Sequence, residues 1–178
     1  MISLKKNFVY SILYQMLSMI LPLITSPYIS RVLGPENVGI YSYTYSIANY
    51  FVLIAMLGFK NYGIRCVAKV RDNKEKLSRE FWSIWGLQVI TSSIMFVIYL
   101  IYLIVFHPKY WNIAVLQGIY VFSAMSDISW FFFGLEKFKI TTIRNTIIRL
   151  IGVIAIFIFV RNSGDLPIYV FILSINIL

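Results

Sequence analysis

Phe81-Trp82-Ser83-Ile84-Trp85-Gly86-Leu87-Gln88-Val89-Ile90-Thr91-Ser92-Ser93-Ile94-Met95-Phe96-Val97-Ile98-Tyr99-Leu100-Ile101-Tyr102-Leu103-Ile104-Val105-Phe106 carries no charged side chain. A helix needs roughly 20 mostly apolar residues to cross a bilayer core, and this run exceeds that. Further windows lie on either side of it, at 8–29, 38–57, 111–133 and 147–160, and a sixth begins at 167 and runs to 178. The fifth is short, and snorkelling of Arg149 and Arg161 extends it. The sixth is too short to span, so the sequence reads as a fragment. Composition agrees: 60% of the 178 residues are hydrophobic and 13% charged, against about 45–50% and about 25% in soluble domains. The expected fold is an all-α integral membrane bundle, one transmembrane domain over 1–178 with five full spans and a truncated sixth. The first window is longer than the roughly 7–15 apolar residues of a signal peptide and has no small-residue cleavage site after it.

The formal charge of +9 is explained by its placement. Lys5 and Lys6, the 58–80 loop and the 134–149 loop hold 13 of the 16 Lys and Arg, and the intervening loops keep Arg31, Lys109 and Arg161. This alternation obeys the positive-inside rule at every loop and puts the N-terminus in the cytoplasm. No groove-binding motif accompanies the charge, so no nucleic-acid partner is expected. Cys66 and His107 each stand alone, which gives no disulfide framework, metal pattern or cofactor site.

Local punctuation supports the windows. In Arg31-Val32-Leu33-Gly34-Pro35-Glu36-Asn37, Gly34 suits a turn and Pro35 the first position of a new helix. Arg31 and Glu36 sit at the helix ends that favour their charges. Asp72-Asn73-Lys74-Glu75 has capping-box spacing, with Asp72 as the expected cap. The third span is expected to start there as a charged helix and to enter lipid near Phe81. Ser163-Gly164-Asp165 with Pro167 turns the chain into the last segment.

Polar residues recur at helical spacing inside the windows: Ser11, Gln15, Ser18, Pro22 and Thr25; then Ser42, Tyr45, Ser46 and Asn49; then Gln88, Ser92, Tyr99 and Tyr102; then Tyr120, Ser123, Asp127 and Trp130. Four such stripes predict a shared interior. The fifth window has almost nothing polar and is expected to face lipid. Two readings stand side by side: the stripes are helix–helix glue, or they line a cavity for a polar substrate. Asp127, an ionisable group within a span, is a candidate functional residue; its alternative role is structural partner to Arg144 or Arg149.

The run from Ser30 to Tyr41 resembles the first hairpin of Wzx-type polysaccharide repeat-unit flippases. Gly58–Arg65 and Arg71–Ser78 resemble their first cytoplasmic loop, Trp130–Phe138 resembles the terminus of their fourth span, and the continuation Thr141–Leu150 is also similar. The resemblance covers the chain in order. It implies the N-terminal lobe of a transporter of the multidrug/oligosaccharidyl-lipid/polysaccharide exporter superfamily, in the bacterial cytoplasmic membrane. The implied substrate is an oligosaccharide joined by diphosphate to a polyprenol, flipped to the outer leaflet for O-antigen or capsule synthesis. The implied partners are that lipid-linked substrate, membrane lipids and other polysaccharide assembly proteins. The sugar head needs hydrogen-bonding groups, for which Gln15, Asn49 and Tyr45 are candidates. The diphosphate needs fixed positive charge, for which Arg31 and Arg149 are candidates. Two rivals remain open, a multidrug or ion-coupled exporter of the same superfamily and a membrane enzyme of polysaccharide assembly. The sequence has no DxD, HExxH or GxSxG motif, so no catalytic residues are expected.

Overall fold

The computed structural model describes residues 4–177, with the side chains of Met16 and residues 19–176. Among the described residues the chain is helical, without strands. The elements are α1 (Leu4–Val32), α2 (Gly34–Met56), α3 (Phe59–Val70), α4 (Lys74–Phe106), α5 (Trp111–Ser123), α6 (Ser129–Gly134), α7 (Phe138–Phe159) and, after a 3-10 turn at Ser163–Asp165, α8 (Leu166–Ile177). Three stretches among the described residues, Gly34–Val70, Lys74–Phe106 and Phe138–Phe159, are long and apolar enough to cross a membrane. The surface of α4 shows why. Ile90, Ile94, Val97, Ile101 and Ile104 form an exposed stripe at steps of four and three, and α7 exposes Ile147, Ile151, Ile154 and Ile158 likewise. Water would penalise such contiguous apolar surface; a bilayer accepts it. The protein is an all-helical membrane protein.

The first hairpin forms as its residues dictate. Gly34 takes a positive φ of 80°, Pro35 lies in the first turn of α2, Arg31 in the last turn of α1 and Glu36 in the first of α2. Asn37 Nδ2 donates to Leu33 O at 3.0 Å and to Ser163 O at 2.9 Å, which ties this hairpin to the α7–α8 turn.

Four expectations are corrected. The 58–80 loop is mostly helix: Leu57 and Gly58 both take positive φ and end α2, and α3 begins at Phe59. There Gly63 and Val67 are buried while Arg65 and Lys69 are exposed. The cap of α4 is Asn73, whose side chain accepts from Lys76 N at 3.0 Å, in place of Asp72; the extended backbone that a cap requires falls one residue later. The 111–133 window is not one helix. It breaks between Ser123 and Ser129, so Asp127 lies in irregular backbone between the two helices. Nor is 134–149 a loop, because α7 already begins at Phe138.

Packing gathers the connections at two ends. Ile29, Leu33, Ile113, Val160, Leu166 and Val170 form a cluster at one end, with Tyr110 against it. Val67, Ile84 and Trp130 form a cluster at the other, with Phe59, Leu77, Phe81 and Leu135 against it. The loops that charge alternation assigns to one side therefore share an end. Helix α1 packs on α2 and α7, α8 on α5 and α7, and α4 on α2, α3 and α5.

Candidate functional site

Between α1, α2, α7 and α8 lies a cleft of about 720 Å3, bounded at the α3 end by Lys60, Asp127, Ser129 and Phe133. Helix α7 contributes Arg144, Asn145, Arg149, Gly152, Val153 and Ile156. These share one face and extend along about 18 Å of the helix at 1.5 Å per residue; the exposed isoleucines take the opposite face. Thus α7 is amphipathic, with its polar half turned inward. Gly152 lets α7 and α8 approach closely, since a Cβ there would overlap the Asn176 amide.

The cleft is chemically graded. Its α3 end carries Lys60 and Arg144 with the Asp127 carboxylate and the Asn145 amide, and Arg149 follows halfway along α7. Toward the hairpin end, α2 supplies Tyr41 and Tyr45, which stack at 5.6 Å. The ring of Tyr45 in turn stacks on Tyr120 at 5.2 Å. The Tyr120 hydroxyl donates to Asn49 Oδ1 at 2.8 Å, fixing this aromatic ladder from behind. Asp127 Oδ1 accepts from Ser129 N at 2.9 Å, so the carboxylate also organises the start of α6. The arrangement can neutralise an anionic group at one end and offer ring faces and hydroxyls at the other.

Of the residues singled out from sequence, Tyr45, Asp127 and Arg149 come together on this cleft. Asn49 stands one step behind it, spent on Tyr120. Arg31 is exposed at the end of α1 and is not among the cleft residues. The side chain of Gln15 lies outside the described residues. Sequence reading did not select Lys60, Tyr41, Asn145 or Asn176. The helical spacing of 145, 149, 152 and 156 would have flagged that face had the helix been started at Phe138. The shared interior of four stripes is also corrected. On α4, Gln88, Ser92 and Tyr99 are buried against neighbouring helices, away from the cleft. Conversely, the fifth segment, expected to face lipid, forms one wall.

The chain matches the family described as polysaccharide biosynthesis protein over residues 4–178. It belongs to that family. Two curated relatives of the chain are each named "Putative O-antigen transporter". One, from Escherichia coli (strain K12), is 32% identical over 97% of this chain and 42% of its own length. The other, from Shigella dysenteriae, is 24% identical over 92% of this chain and 41% of its own length. The chain therefore spans about two fifths of the curated relatives it matches. No solved structure is a significant match. The Wzx-type resemblance agrees with this family and these relatives.

Proposed function

We propose that this chain forms the first helix bundle of a flippase that carries polyprenyl-diphosphate-linked oligosaccharide repeat units across the bacterial inner membrane. The observation that carries the reading is the graded cleft, with Lys60 and Arg144 at one end, Arg149 halfway along α7, and Tyr41 and Tyr45 contributed by α2. A diphosphate crossing a low-dielectric region unpaired is costly by several kcal/mol or more, and three cations offset that cost. Sugar rings present C–H faces to the tyrosines and hydroxyls to Asn145 and Asn176. The apolar tail remains in lipid against the exposed isoleucines. Transport of this kind makes and breaks no covalent bond. The relatives' shared name, "Putative O-antigen transporter", supports the same substrate class. In this reading α1, α2, α4, the α5–α6 pair and α7 make five crossings, α8 begins a sixth, and the N-terminus is cytoplasmic.

The test uses the full-length protein. Arg149→Ala should abolish most surface polysaccharide at unchanged membrane abundance, while Arg149→Lys, which keeps the charge and loses the fork, should retain part. Asp127→Ala should lower export more than protein level. Normal export from Arg149→Ala and Arg144→Ala combined would refute a diphosphate site here.

A further inference from the structure

The 111–133 segment contains no proline, and its only glycine, Gly118, lies within α5, yet it breaks. Helix interruptions have identifiable causes, among them a side chain inserted into the backbone ladder. Here the inserted side chain is Gln88 of α4. At the break the chain tightens to three-residue bonds, from Ala124 N, Met125 N and Ser126 N back to Val121 O, Phe122 O and Ser123 O. The carbonyls of Ala124 and Asp127 then need other donors. Gln88 Nε2 supplies both, at 2.8 and 2.9 Å, and Gln88 Oε1 accepts from Trp130 Nε1 at 2.9 Å. The Gln88 side chain is fully buried. Irregular backbone at membrane depth persists only where protein or a polar cavity satisfies it. This break has both, with Gln88 on one side and the cleft on the other.

We propose that Gln88 is a positioning residue: it holds the α5–α6 break open and so keeps Asp127 on the cleft wall. One residue is thereby gripped twice. Gln88 takes the main-chain carbonyl of Asp127, while its carboxylate lines the cleft and accepts from Ser129 N. Ser92, one turn along the same face, is equally buried and its hydroxyl has no partner among the described residues. Burial of a polar group on this face is therefore not itself the device; the fork of one amide across three partners is. Without it the freed carbonyls are best satisfied by continuing the helix through 124–128, which carries residue 127 away from its present position. The functional half of this inference rests on the proposed reading of the cleft; the positional half stands on the hydrogen bonds alone.

The experiment uses the full-length protein in membranes, cysteine-free (Cys66→Ser in this chain) apart from Asp127→Cys, probed with a charged, water-soluble maleimide. Gln88→Leu should slow labelling at position 127 by about fivefold or more per molecule, because it leaves two carbonyls and an indole N–H without their partner. Gln88→Glu keeps an acceptor for Trp130 and, protonated in its buried site, one donor; it should label at an intermediate rate. Ser92→Ala should leave the rate unchanged. Export is measured in parallel with Asp127 intact. Labelling unchanged in Gln88→Leu overturns the proposal. If that variant does not accumulate, Gln88→Glu decides, and a parental rate there overturns it equally. Slowed labelling with undiminished export would uphold the positioning role and count against the cleft as the substrate path.

Discussion

Asp165 takes backbone N–H groups from both Arg161 and Asn162 at 2.9 Å, and these donors hold its carboxyl below the usual carboxylate range. A carboxylate with a lowered pKa stabilises the fold above its unfolded value, about 3.9, and that contribution is lost as pH falls through the folded value. Asp165→Asn removes the charge. Detergent-solubilised protein should therefore show the largest wild-type advantage in melting temperature near neutral pH, narrowing below about pH 4. A pH-independent difference would assign the effect to shape rather than charge. At this scale the sequence was legible where a residue was anomalous for its surroundings. Asp127 and Arg149 are charged groups within apolar windows, Tyr45 belongs to a polar stripe at helical spacing, and all three reach the cleft. Lys60 and Asn145 sit among other polar residues, so nothing local distinguishes them from headgroup anchors. Arg31 was equally conspicuous, but its position at a helix end points it out of the bundle's interior.

Helix α3 can seat on α6 because two glycines remove the obstacles. A Cβ at Gly63 would lie 2.5 Å from Trp130 Cε3, and one at Gly134 2.6 Å from Val67 Cβ. Trp130 and Val67 are fully buried, so neither can yield. Gly63→Ala should destabilise the bundle by about 1–3 kcal/mol, as overpacking does. Gly86 lies within α4 with open space around it, so Gly86→Ala should be neutral or stabilising by roughly 0.5–1 kcal/mol. Unfolding titrations in detergent would compare the two, and equal effects would show that the contact is slack. Elements were legible in proportion to how far their cause was local. The hairpin at Gly34-Pro35 and the charged start of α4 follow from their own residues. The α5–α6 break does not, since its cause is a glutamine on another helix. The early start of α7 was hidden for a different reason. Hydropathy averages around the helix, so a segment with cations on one face and isoleucines on the other reads as a loop.

At the scale of the molecule, the two ends differ in charge. The α3 end carries Lys60, Arg65, Lys69, Arg71, Lys74 and Lys76, and the Arg71–Glu136 ion pair joins the end of α3 to the α6–α7 turn. Under the proposed topology, the positive-inside rule assigns this end to the cytoplasm. Alkaline phosphatase, active only outside the cytoplasm, should be active when fused after Lys109 or Asp165 and inactive after Lys74. The fusion after Lys137 is the most demanding, because it reports on the broken segment. Helix α5 covers only about 20 Å at 1.5 Å per residue, short of a hydrocarbon core of about 30 Å. Alone it would leave the chain inside the bilayer or return it to the side of Lys109. On the proposed five-span topology the crossing takes the 124–128 segment and α6 as well, with Leu135 packed at the α3 end. An inactive fusion after Lys137 is therefore expected. An active one would mean that the break returns the chain, and would overturn the proposed topology, in which α3 and α6 pack together through Gly63 and Gly134 on one side of the membrane.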